Sequence, residues 1–158
     1  SAALIYRDPR LAKAVHTQNA SYLDVIHGDD DDFNPSDLAY HLTRRARGMA
    51  LWFSLAVNGI DAYRDAVDYS LAMTKYAVER IRTLQYLELI REPDLSVILF
   101  RRSGWTLADY ESWGNRLLRD QTAFVTHSAW RGETVGRLVF LHPGTTTEMV
   151  DEVLATLN

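Results

Sequence analysis

Residues 86–101, YLELIREPDLSVILFR, decide the fold class. Two apolar runs, residues 86–90 and 96–101, flank the turn signal Glu92-Pro93-Asp94, so the stretch reads as two strands joined by a tight connection. Up to Leu84 the apolar residues recur at helical spacing; from Tyr86 onward that period is lost. A long helical region therefore gives way to sheet inside one short chain.

Downstream, Thr106 opens a helix with Leu107, Tyr110, Trp113, Leu117 and Leu118 on its face. Residues 124–130 and 134–141 form a second apolar pair around Arg131-Gly132-Glu133, a hairpin signal. A last helix begins with Thr145 and Glu148 at capping-box spacing and runs to Leu157. Upstream, Ser36 is placed to cap a helix of about six turns that starts at Asp37, carries Leu38, Leu42, Met49, Trp52 and Phe53, and stops at Asn58-Gly59. Asp61 caps a second long helix with Tyr63, Val67, Met73, Ala77 and Ile81 on one face, and the two are expected to pair antiparallel. Residues 1–6 read as a strand, Asp8-Pro9 as a turn before a short helical stretch, and residues 17–35 as a long exposed loop. The order is two helices, two strands, helix, hairpin, helix: an α+β domain whose small antiparallel sheet is covered by helices on one face.

Composition narrows the function classes. The chain has 158 residues, a formal charge of −4, 47% hydrophobic and 24% charged residues, and no cysteine. It is long enough for one sizeable core and too apolar to remain disordered. The basic residues mostly alternate with acidic ones, which gives no footprint for nucleic acid. Disulfides and thiolate metal sites are excluded, and no apolar run approaches the roughly 20 residues of a membrane helix. A cytoplasmic location is expected.

No single motif supplies chemistry. Asp29 to Asp32 lack the spaced ligands of a calcium loop and read as solvated charge. His16, His27, His41, His127 and His142 contain no pair at the spacing of a zinc helix, so no metal site is expected. Arg44, Arg45 and Arg47 form a basic cluster that either pairs with acidic neighbours or binds an anion at a subunit interface. Tyr22, in the irregular segment, reads from composition as local packing. No nucleophile, base and orienting group fall together.

Residues 42–59, LTRRARGMALWFSLAVNG, resemble the segment that follows the mobile loop in group II pyridoxal-phosphate-dependent amino-acid decarboxylases. In the same order, SAALIYRD at 1–8 is similar to the strand after the cofactor lysine. NASYLD at 19–24 is similar to the tyrosine-bearing part of the loop, and DLSVILFR at 94–101 to the first core strands of the small C-terminal domain. The resemblance covers essentially the whole chain. It implies the tail of the large domain of a fold-type I enzyme over 1–35, connecting and interface helices over 36–85, and the small domain over 86–158.

The resemblance also implies roles. Tyr22 matches the loop tyrosine that protonates the substrate carbon after carbon dioxide leaves, ordinary general-acid work. Leu42 and Thr43 match a step whose backbone reaches the phosphate of pyridoxal 5'-phosphate in the partner subunit, and threonine stands where relatives often have glycine. The expected partners are the N-terminal cofactor-bearing part, a second subunit of a homodimer and an amino-acid substrate of undecided type. The chain departs from the family in lacking the His-Lys motif: its only lysines are Lys13 and Lys75. It is therefore expected to be a lyase only as part of a longer enzyme, and inactive alone. The competing reading is a stand-alone α+β interaction or dimerisation module derived from the same tail.

Overall fold

The computed structural model describes residues 4–16, 35–41 and 45–158. The chain divides into two compact units, Ser1–Val57 and Asn58–Asn158.

The second unit is built on four antiparallel strands in the order β1-β2-β4-β3, with β1 Leu87–Leu89, β2 Val97–Arg102, β3 Thr126–Trp130 and β4 Glu133–Val139. Glu92-Pro93-Asp94 lies in the β1–β2 connection, as its turn chemistry requires. Trp130 pairs with Glu133, leaving Arg131 (φ 50°) and Gly132 (φ 85°) as a two-residue loop. Positive φ at both positions is the turn whose twist matches that of the flanking strands.

Alternation along β2 and β4 sets the buried face. Ile98 and Phe100 are fully buried and pair with Leu138 and Gly136. Three helices cover this face: the C-terminal part of α2 (Gly48–Thr83), α3 (Leu107–Arg119) and α4 (Thr147–Ala155). Ala77, Val78 and Ile81 of α2 sit at helical spacing, as do Tyr110, Trp113 and Leu117 of α3 and Val150, Val153 and Leu154 of α4, so each helix turns one apolar stripe inward. On the opposite face Arg101 forms ion pairs with both Glu88 and Glu133, and Val135, two residues along β4 from Glu133, is fully buried.

Polar groups that enter the core are satisfied by specific partners. The Arg102 backbone N–H donates to the Tyr110 hydroxyl oxygen at 2.8 Å. The Arg102 guanidinium donates to the Leu157 carbonyl at 2.7 Å and lies over the Tyr86 ring, 4.8 Å from its centroid. Asp109 closes the start of α3 by accepting from the backbone N–H and the hydroxyl of Thr106, both at 2.7 Å. These bonds keep the unit's buried donors and acceptors from being left without hydration or partner.

Gly136 marks the tightest packing. A Cβ there would lie 2.3 Å from Cζ of Phe100, whose ring is fully buried and cannot swing away. Gly136→Ala is expected to cost about 2–3 kcal/mol by overpacking, read as a lowered urea midpoint with an unchanged slope. A midpoint equal to wild type would refute the contact.

Several expectations are corrected. Leu4, Ile5 and Tyr6 form no strand; no strand exists among the described residues of the first unit for them to pair with. The first long helix does not begin at Asp37. Pro35–Leu38 is one 3-10 turn, and α2 begins only at Gly48. Arg44 and Arg47 would be like-charged neighbours one helical turn apart, which opposes helix there. Instead the Arg47 N–H donates to the Arg45 carbonyl at 2.8 Å, a tighter turn. The break at Asn58-Gly59 is present as non-helical Gly59 (φ 76°, ψ 163°), which places Asp61 inside the following first turn rather than at its cap. At α4 the cap is Thr146, whose hydroxyl accepts from the Met149 N–H at 3.3 Å, not Thr145. The short helix after Asp8 is α1, Pro9–His16.

Candidate functional site

Tyr22, Leu42, Thr43 and Arg44 lie outside the described residues, as do Asp29 to Asp32 and His27. Of the arginine cluster, Arg45 and Arg47 are described and exposed. In the same unit Lys13 of α1 pairs with the buried Asp37 carboxylate at 3.7 Å.

The first turns of α2 carry a feature that a self-contained fold would not produce. Met49, Leu51, Trp52, Phe53 and Val57 are all exposed, Phe53 by 63%. At 100° per residue they point in every direction around the helix, and a helix apolar all round is normally enclosed. Ile60 and Val67 continue the exposed apolar character beyond Gly59. Such a surface calls for a covering partner.

In the second unit the ionisable groups with shifted protonation are already engaged. Arg80 Nε donates to Asp151 Oδ1 at 2.7 Å and the Tyr76 hydroxyl to Oδ2 at 2.8 Å. The hydrogen bond from Arg80, then that from Tyr76, holds the Asp151 carboxyl below the ordinary carboxylate range, and Asp151 in turn pushes the Tyr76 phenol up. A carboxylate of lowered pKa with both oxygens occupied is a poor base near neutral pH. The cluster ties α4 to α2. Likewise the Gly144 N–H donates to His142 Nδ1 at 2.9 Å and closes a turn. Among the described residues no cluster of His, Asp and Glu could hold a metal ion, and no helix is long and apolar enough to cross a membrane.

The described residues do not fit pyridoxal phosphate. Lys75 is exposed on α2 and lines a small cleft with Glu79, Glu92 and Asp94, carboxylates that oppose a phosphate. Lys13 stands beside Asp37. Neither lysine lies in a cavity with a cluster of anion donors.

A groove of about 450 Å³ between the β3–β4 hairpin's open end and α4 was not visible in the sequence. Phe124 and Leu141, expected inside strands, fall beyond the ladder and are 78% and 77% exposed on its rim. Three separate segments line it, so no linear spacing signals it.

No family model matches the chain. An aromatic-L-amino-acid decarboxylase of Bacillus atrophaeus is 23% identical over 132 residues, 79% of this chain and 28% of that protein. An L-2,4-diaminobutyrate decarboxylase of Rhizobium meliloti (strain 1021) is 27% identical over 144 residues, 85% of this chain and 29% of its own length. The crystal structure of mouse CSAD in apo form matches with a TM-score of 0.71 and 19% identity over 95% of this chain and 34% of that one, a likeness of fold. The chain thus spans under a third of the length of the curated relatives it matches.

Proposed function

We propose that this chain, a partial match to the C-terminal portion of group II pyridoxal-phosphate-dependent amino-acid decarboxylases, works as the C-terminal part of such an enzyme and supplies no cofactor attachment of its own. The observation that carries this reading is that sequence relatives and fold relatives point to the same group over most of the chain. The exposed apolar helix at residues 49–57 supports it: a cofactor-bearing N-terminal part, or a second subunit, would supply its cover. In the complete enzyme the cofactor would provide the electron sink for loss of carbon dioxide. This chain would contribute Tyr22 as the proton donor, and the Leu42-Thr43 backbone as a contact to the partner subunit's cofactor phosphate. The relatives' printed substrates differ, so the substrate class is left as an amino acid.

The alternative, a stand-alone interaction module, draws on the same exposed helix. Two measurements separate and test these readings. A reading frame that encodes a His-Lys motif shortly before Ser1 supports the decarboxylase part, and a frame without one favours the module. Mixed with pyridoxal phosphate and reduced with borohydride, the 158-residue chain is expected to be labelled weakly and without preference at Lys13 and Lys75. Stoichiometric trapping at one lysine would overturn the proposal that the attachment site lies elsewhere.

A further inference from the structure

We infer that the groove between α4 and the open end of the β3–β4 hairpin is a binding site for an amphipathic carboxylate, an acyl chain or aryl group ending in one acid. The inference is independent of the decarboxylase reading. The floor is core: Leu138, Phe140, Val150 and Val153 are at most 9% exposed. Its rim is Phe124, Leu141 and Met149, the last 52% exposed. An apolar body laid between them would remove both layers from water, at about 25 cal/mol per Å² of apolar surface. The volume of about 450 Å³ lies within the range of roughly 300–1,000 Å³ of small-molecule sites.

Charge selects the ligand's other end. Arg137 is the one charged residue lining the groove. Elsewhere in residues 58–158 the arginines are engaged: Arg64, Arg80, Arg82, Arg91 and Arg119 with carboxylates, Arg101 with two of them. Arg102 and Arg116 donate to main-chain carbonyls, and Arg131 lies over the Trp130 ring. Arg137 alone among them has no hydrogen bond, ion pair or ring contact with a described residue, and it is exposed. A guanidinium is a fixed cation whose planar fork fits a carboxylate in two parallel hydrogen bonds. A greasy groove with one uncommitted arginine therefore favours a single acid on an apolar body over a neutral lipid or a dianion.

The test is an amide NMR titration of the ¹⁵N-labelled chain with decanoate below its micellar concentration, with decanol and butyrate in parallel. The expected result is saturable shifts confined to residues 122–126, 137–141 and 145–153. Arg137→Gln should bind decanoate about tenfold more weakly, the loss of one charge-assisted hydrogen-bonded contact. Lys75→Gln, which removes the unit's other uncommitted cation at a different cleft, should bind as wild type. Both side chains are exposed, and an unchanged amide spectrum away from the substitution verifies the fold. Leu141→Ser, also at an exposed position, should weaken decanoate and decanol alike, and butyrate should not saturate. Equal affinity of Arg137→Gln and wild type would overturn the site. So would unsaturable shifts spread over residues 49–71, or groove shifts that follow protein concentration alone because a second copy covers it.

Discussion

Trp113→Ala is expected to lower the stability of the Asn58–Asn158 unit by about 4 kcal/mol, the cost of removing a buried tryptophan and leaving a cavity. Trp113 is 3% exposed and sits at the junction of sheet and helices. Its ring meets Phe100 of β2 edge to face at 6.1 Å and Trp105 at 5.9 Å, and its Nε1–H donates to the Thr156 hydroxyl oxygen at 2.8 Å. That hydroxyl itself donates to the Val153 carbonyl at 2.6 Å. One side chain thus joins β2, α3 and the end of α4. A loss of this size should lower Tm by about 20 °C for a unit of this length. Trp113→Phe keeps most of the apolar surface but gives up the hydrogen bond and part of the volume, and is expected to cost about 1–2 kcal/mol. Thermal unfolding followed by near-ultraviolet circular dichroism reads both. A Tm for Trp113→Ala close to that of wild type would show that α3 does not organise the core.

Trp113 was legible because Tyr110, Trp113 and Leu117 repeat at the helical period, and period is a property of the chain alone. The same is true of the two strand pairs: turn chemistry at Glu92-Pro93-Asp94 and Arg131-Gly132 brackets them, and the observed ladders lie within one or two residues of the expected runs. The errors share a cause. Apolar residues at strand ends look alike whether they pair or not, so Phe124 and Leu141 were placed in strands that stop short of them. At α4 the run Thr145-Thr146-Thr147 offers three hydroxyls, and only the backbone path selects Thr146 as the cap. The helix start at Asp37 failed because the apolar period ran across an arginine cluster whose mutual repulsion it does not register. Arg137 could not have been singled out: having no partner is a tertiary property. Tyr22, Leu42 and Thr43 were singled out by resemblance, and no local pattern of charge or spacing distinguishes them.

Tyr22→Phe, made in the complete decarboxylase, is expected to lower kcat about 100-fold or more while changing KM by no more than about twofold, the pattern of an interaction made only in the transition state. A phenol with a pKa near 10 is protonated at neutral pH and can donate. When carbon dioxide departs, the carbon it leaves must take up one proton, and water admitted to the site would deliver it without control of face or timing. A tyrosine brought over the substrate by the segment expected to form the mobile loop would supply that proton and exclude water together. Phenylalanine preserves the ring and therefore the closure, so the substitution isolates the hydroxyl. Turnover and carbon dioxide release measured on the same preparation separate the two effects. Release that persists while amine formation falls places Tyr22 after decarboxylation, at the protonation step. Equal loss of both places it at closure, and an unaltered turnover number removes Tyr22 from the mechanism while leaving the kinship with the decarboxylases untouched.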